Sequence, residues 1–452
     1  MKTKQKVMCL LITLATLTLT NCKGGSTPKT DKVESVDTTN MKQAAHEGDQ
    51  KPDTVLGRNQ KPDTALRTTH EQQQTNTDSD LSSVSQMNAF ALQLFQQIHK
   101  SSERMQNLVV SPLSVATLLS IITYGAEGET LSEINNALGI EAKDVESILS
   151  KLKMKADKHA SLHMANLLAT RPDIPLRKDF TNTIAHRYHN TVTKSLDLTE
   201  EKERQKIDQW CKKQTEGMIP QITDSNDKVT VLLSAICFKA LWEESFEDNY
   251  SRIVFENADK SKVLLPSMSR LTDMMVEDRA HYVALGLNYR GGRYKMLLLL
   301  PNEGKSVDDV LNDLTTSELE YLLKSKEDNT ETKLEMPKFE MRLKQPLIPI
   351  LKQMGIRLAF IPQASFGRMS NIPLYIANVE QRAYIEVNQN GTEASAATKA
   401  SMAIGAMGGE EPSYRYINVN RPFLFVIGDR QTGVALFMGE YRGDEKAKKY
   451  PY

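Results

Sequence analysis

Cysteine is scarce in this chain of 452 residues, which holds four: Cys9, Cys22, Cys211 and Cys237. Two of them fall within the first 22 residues, so a disulfide framework is excluded and the fold must rest on a core. A surplus of either charge is also lacking. Lys plus Arg and Asp plus Glu both number 57, for a formal net charge of zero. Without a basic surplus no nucleic-acid partner is expected. The chain has no G-x-S-x-G, no P-loop and no Gly-rich dinucleotide turn, which removes the usual hydrolase and nucleotide signatures. The eight histidines are scattered. His159 and His163 are spaced i, i+4, but no Glu follows His159 as a zinc protease motif requires. His186 and His189, in the helix-like AHRYH, read as surface or packing residues. No metal, no cofactor and no enzymatic activity are expected.

Long apolar runs are few, and the one at the N-terminus is a targeting segment. Lys2, Lys4 and Lys6 precede an apolar stretch at residues 7–19 that is too short and too abruptly ended for a spanning helix. It stops at Leu19-Thr20-Asn21-Cys22, which resembles a bacterial lipobox with cysteine as the first mature residue, although Asn21 departs from the usual small residue. On this reading residues 1–21 are a lipoprotein signal peptide. Cys22 carries acyl chains that tether an exported protein to the bacterial envelope, periplasmic or surface. Residues 22–82 are polar and contain a near-duplicated QKPDT at 50–54 and 60–64. Such a segment cannot bury enough apolar surface to fold and reads as a flexible tether, some 60 residues of coil reaching about 40–45 Å. The remaining length allows one large domain or two ordinary ones.

Ordered structure is predicted from near Ser85, where Met87, Phe90, Ala91, Leu94, Phe95 and Ile98 recur at helical spacing. Ser111-Pro112 reads as a helix start, Thr130-Leu131-Ser132-Glu133 as a capping box, and Gly139 as that helix's end. Residues 229–238, 295–300 and 423–427 are nearly all apolar and β-branched or leucine-rich, as in strands buried on both faces. Helices alternating with buried strands give an α+β class. The lysines at 151, 153, 155 and 158 could bind a polyanion, but interspersed acidic residues favour a solvated face.

What is most informative lies at residues 390–402, NGTEASAATKASM, behind the strand-like AYIEV at 383–387. Thr392, Ala394, Ala396, Thr398, Ala400 and Met402 share one face of an extended chain and are small or apolar. Glu393, Ser395, Ala397, Lys399 and Ser401 share the other. No proline occurs between 392 and 411. Such a segment can stay out as a loop or enter a sheet as a central strand.

Six segments in register resemble the serpin family, over residues from Ser82 to Gly443. They are NLVVSPLS at 107–114, IDQW through TEGMI at 207–219, LLSAICFKALW at 232–242, MPKF at 336–339, the hinge NGTEASAAT at 390–398, and NRPFLFVI at 420–427. The resemblance implies a serpin domain at 83–443 with a short tail at 444–452. Its α+β fold has three β-sheets, eight or nine helices and an exposed reactive-centre loop, and it acts as a monomer. Cys211 and Cys237 then fall on a helix and a central strand and do not pair.

It also implies suicide inhibition of a serine, or cysteine, endopeptidase. The enzyme cleaves the loop and forms an acyl-enzyme, and the freed loop inserts into the main sheet and distorts the enzyme before it deacylates. The hinge is Gly391, Thr392, Glu393, Ala394, Ser395, Ala396, Ala397 and Thr398, with no bulky, charged or proline residue on its inward face. About 14 inserted residues at roughly 0.5–1.5 kcal/mol net per hydrogen bond supply on the order of 10 kcal/mol. In the sheet-opening region, Ser234 stands where the family has Asn and Gln381 where it has His. These two are expected to pair across the sheet near Ser111 and Ser114. Trp242 matches the family tryptophan where the loop enters. Counting from the hinge places the scissile bond at Gly405-Ala406, with Ile404 and Met407 as alternatives; counting back from Asn420 places it near Glu411-Pro412. Small or unbranched apolar residues suit elastase-, subtilisin- or papain-like enzymes better than trypsin-like ones. The alternative is a non-inhibitory serpin-fold binding or structural protein whose loop is only a substrate.

Overall fold

A computed structural model describes residues 64–154, 159–225, 229–247, 251–326, 330–392, 414–444 and 446–447. Cys22 and the signal segment, hinge residues Glu393, Ala394, Ser395, Ala396, Ala397 and Thr398, and the window Ile404, Gly405, Ala406 and Met407 lie outside them.

The first helix, α1 (Thr64–Ser101), begins upstream of the expected start near Ser85. No Gly or Pro falls between Thr64 and Ser85, so nothing in that stretch breaks a helix. The packed part is the one the periodicity predicts: Met87, Phe90, Ala91, Leu94, Phe95 and Ile98 are all buried. After strand β1 (Leu108–Val110), helix α2 (Pro112–Thr123) starts at the Ser111-Pro112 pair. The Ser111 hydroxyl accepts the Ser114 N–H at 3.3 Å, and Pro112 sits where its missing N–H costs nothing. Every residue of α2 is buried.

Helix α3 (Gly128–Leu138) corrects the capping-box expectation. Its N-cap is Glu127, while Thr130 accepts the Ser365 N–H and Glu133 accepts those of Arg357 and Leu358. Tertiary contacts to a distant loop took the side chains that a local cap would use. Gly139 ends the helix in the left-handed region, φ 65°, as predicted.

The chain continues through α4 (Ala142–Met154), β2 (Ala160–Thr170), α5 (Lys178–Arg187), β3 (Thr191–Ser195), α6 (Glu201–Gln214), β4 (Val231–Leu241), β5 (Arg252–Glu256), β6 (Lys262–Asp278), β7 (Tyr282–Asn288) and β8 (Tyr294–Pro301). Then come α7 (Val307–Asp313), α8 (Thr316–Lys324), β9 (Thr330–Pro337), β10 (Phe339–Pro346), α9 (Ile348–Gln353), β11 (Asn378–Asn388), β12 (Gly391–Thr392), β13 (Arg415–Asn418), β14 (Phe423–Asp429) and β15 (Val434–Tyr441). Helix α5 stops at Arg187, so His186 is helical and His189 is not.

The strands form the expected α+β arrangement. One sheet runs β10-β11-β12-β4-β2-β3. The other path, β1-β15-β14-β8-β7-β6-β9-β13, joins two of the expected sheets because β6 is 17 residues long. It pairs with β5, β9 and β7 in succession along its length. In the six-stranded sheet, alternate residues of β4 divide between two cores. Leu232, Ile236 and Phe238 join the main core. Val231, Leu233, Ala235 and Cys237 pack with Ile207 and Cys211 of α6. A sheet covered on both faces explains the unbroken apolar run of β4. Cys211 and Cys237 are buried, and no disulfide joins them.

Candidate functional site

The parallel ladder between β11 and β4 runs from Asn378 opposite Val231 to Tyr384 opposite Cys237. Beyond it the two strands part, and the chain's own β12 lies between them. Thr392 is opposite Val387 on one side and Ala240 on the other; Gly391 is opposite Asn388 and Leu241. The first two hinge residues are therefore already strand.

Four aromatic and backbone contacts hold this wedge. Trp242 donates its backbone N–H to the Asn390 carbonyl at 3.0 Å and its indole N–H to the Asn388 carbonyl at 2.9 Å. Its ring stacks on Tyr289 at 4.5 Å between centroids. The Tyr289 hydroxyl reaches Thr392 Oγ1 at 2.6 Å. Both side chains are fully buried, and burial pushes the Tyr289 phenol well above its ordinary range, so it stays protonated. Gly391 is needed for close approach, because a Cβ there would sit 2.1 Å from the Ala240 carbonyl oxygen. Trp242 thus grips the turn that delivers the hinge.

Lower in the same ladder, Gln381 is opposite Ser234. The structure brings Ser111, Ser114, Ser234 and Gln381 together, but the expected Ser234–Gln381 hydrogen bond is replaced. Gln381 turns its whole amide to the start of α2. Its Oε1 accepts the Ser111 N–H and its Nε2 donates to the Ser111 carbonyl, both at 2.9 Å. Ser234 lies 2.6 Å from the Ser114 hydroxyl and donates to Asn166 Oδ1 at 2.8 Å. Since that amide oxygen can only accept, the protons run from Ser114 to Ser234 to Asn166. A parallel pair keeps like side chains on one face; here α2 beneath offers each a nearer partner than the other. All of these polar groups are buried.

Asn166 and Tyr289 were not singled out from sequence. Asn166 sits alone in the apolar LHMANLLA, and a lone buried amide in an apolar strand is the signal that could have found it. Tyr289 carries no such mark. His163 lies in β2, within 2.8 Å of the Ser161 hydroxyl, and among the described residues no group of three or more His, Cys, Asp or Glu side chains could hold a metal. No helix among them is long and apolar enough to cross a membrane.

The family model described as Serpin (serine protease inhibitor) matches residues 85–442. An uncharacterized serpin-like protein of Thermococcus kodakarensis is 29% identical over 367 residues, covering 79% of this chain and 84% of its own. Plasminogen activator inhibitor 1 of Bos taurus is 30% identical over 369 residues, covering 78% and 90%. The native-state structure of tengpin, a thermophilic serpin, superposes with a TM-score of 0.71 at 25% identity, covering 80% of this chain and 94% of that one.

Proposed function

The chain belongs to the serpin family, and from that premise we propose that it is a suicide-substrate inhibitor of a serine or cysteine endopeptidase. The carrying observation is the wedge. Gly391 and Thr392 occupy the gap between β11 and β4, hydrogen-bonded to both, so insertion continues an existing strand and does not nucleate a new one. The alternation from Thr392 to Met402 lets each further inward residue be small or apolar as the ladder opens. Cleavage frees the far end of the loop. Seven residue pairs of the β11–β4 ladder, from Asn378/Val231 to Tyr384/Cys237, then part, and the entering strand forms two ladders in place of one. The enzyme, esterified to the loop's new end, is carried along before water reaches the acyl bond.

The bond cleaved is Gly405-Ala406 or a neighbour within 404–407, and elastase-, subtilisin- or papain-like pockets suit it. The protein works as a monomer, exported and lipid-anchored through Cys22; the support for this is the charged, apolar and Cys-terminated order of residues 2–22.

A second reading, a non-inhibitory binding or structural protein, draws on the double hydrogen bond from Gln381 to Ser111, which resists opening. The two readings part on one experiment. The domain from Ser82 onward is mixed with elastase, subtilisin, papain and trypsin and run on denaturing gels. A complex surviving denaturant is expected; cleavage with no complex and no rise in thermal stability supports the second reading instead.

A further inference from the structure

Among the described residues, five large apolar side chains are exposed: Leu271, Tyr321, Ile372, Tyr414 and Tyr416. Scattered singly, such residues need no explanation. Three of these five belong to one place. Lys333 of β9 is opposite Leu271 of β6 on one side and Tyr416 of β13 on the other, so the three form a row across the sheet. The alternate row, Arg270, Leu334 and Ile417, is buried. Tyr414, exposed just ahead of β13, is near enough to Tyr416 to act on it electrostatically. Adjacent strands lie about 4.8 Å apart, so the row spans roughly 10 Å. Tyr416 is fixed in place, its hydroxyl donating to Glu335 at 2.8 Å.

We propose that this face, with Leu271, Lys333, Tyr414 and Tyr416 at its centre, is a docking surface for the target endopeptidase, distinct from the bait peptide and setting the rate of capture. The inference rests on the inhibitor reading above. Its occupant follows from connectivity, since β13 is the strand to which the bait loop returns. Tyr414 lies at most ten residues beyond Ile404, a span of no more than ~35 Å even fully extended. An enzyme holding the bait is tethered within that distance of this face, and a standard contact covers about 800 Å² of its partner. Tyrosine is a preferred anchor of such contacts, and rigid rings bind at little entropic cost. The surface that fits is apolar with a carboxylate placed for Lys333. Fast capture matters to a suicide inhibitor, because the enzyme must find the bait before it finds other substrates.

The test uses whichever of elastase, subtilisin or papain the wild-type protein traps fastest. The double variant L271A/Y416A is expected to lower the second-order rate of complex formation at least tenfold. The fraction of encounters ending in complex should not change, since the wedge and the hinge are untouched. Tyr321→Ala, exposed on α8, should leave the rate alone. Lys333→Glu should lower the rate and invert its dependence on salt, and it decides the matter should the double variant fail to melt cooperatively. Wild-type rates in the folded double variant and in Lys333→Glu overturn the docking surface while leaving the inhibitor reading standing. A wild-type dimer that the double variant abolishes, with the trapping rate unchanged, assigns the face to self-association and also overturns it. Failure of the wild-type protein to trap any of these enzymes removes both readings together.

Discussion

Gln381 binds both polar groups of the Ser111 backbone, and the consequence is measurable. In Gln381→Leu the buried Ser111 N–H loses its acceptor, at a cost of about 1–3 kcal/mol. The native domain should melt a few degrees lower, in a thermal scan against wild type. Ser234→Ala breaks the relay at its centre and leaves Asn166 Oδ1 without that donor; a similar loss is expected. His99 offers a test by pH. Burial would lower its pKa, but the hydrogen bond and charge of Glu440, with a further bond to Asp308, outweigh burial and the opposing Arg442, and hold it above 6.5. Protons are bound more tightly folded than unfolded, so the stabilisation is full below about pH 6.5. It is lost as pH rises through the folded value. The gap in Tm between wild type and His99→Gln should therefore shrink from pH 5.5 to 8.5; a gap independent of pH contradicts the assignment.

At the scale of elements, the proposed mechanism makes the wedge β12 decide between inhibitor and substrate. Thr392 is wholly buried between two strands, and a charge placed there must be desolvated. Thr392→Arg should slow insertion enough for water to release the enzyme first. On denaturing gels, the product should shift from complex to cleaved protein, with cleavage at the same bond. Much of this was legible in the residues. The Ser111-Pro112 cap, the apolar runs of β4, β8 and β14, and the Gly139 stop all rest on local chemistry, and each appears where it was read. What escaped depends on partners far along the chain. Thr130 and Glu133 have the letters of a cap but bond to residues 365 and 357–358. Asn166 and Tyr289 are 68 and 103 residues from the groups they hold. That two hinge residues already lie in the sheet follows from the Trp242–Tyr289 stack, which no local pattern announces.

On the proposed mechanism the whole molecule is a sheet held short of completion. Its stability would then be divided between a native state, with β11 paired to β4 below the wedge, and an inserted state with one more full strand. About 10 kcal/mol separates them on the hydrogen-bond estimate, so the cleaved domain should melt well above the native one. The proposed lipid anchor belongs to this scale as well. Cys22→Ser should move the expressed protein from the membrane fraction to the soluble one and abolish incorporation of labelled palmitate; unchanged partitioning would argue against the anchor. The most direct test of trapping by insertion is the mass and melting of one reaction mixture, the domain from Ser82 onward with elastase, subtilisin or papain. The account predicts a denaturant-resistant adduct of domain and enzyme, a released C-terminal peptide that begins within residues 405–407, and a cleaved domain that melts far above the native form. Cleavage at that position with no adduct and an unchanged melting temperature would contradict it.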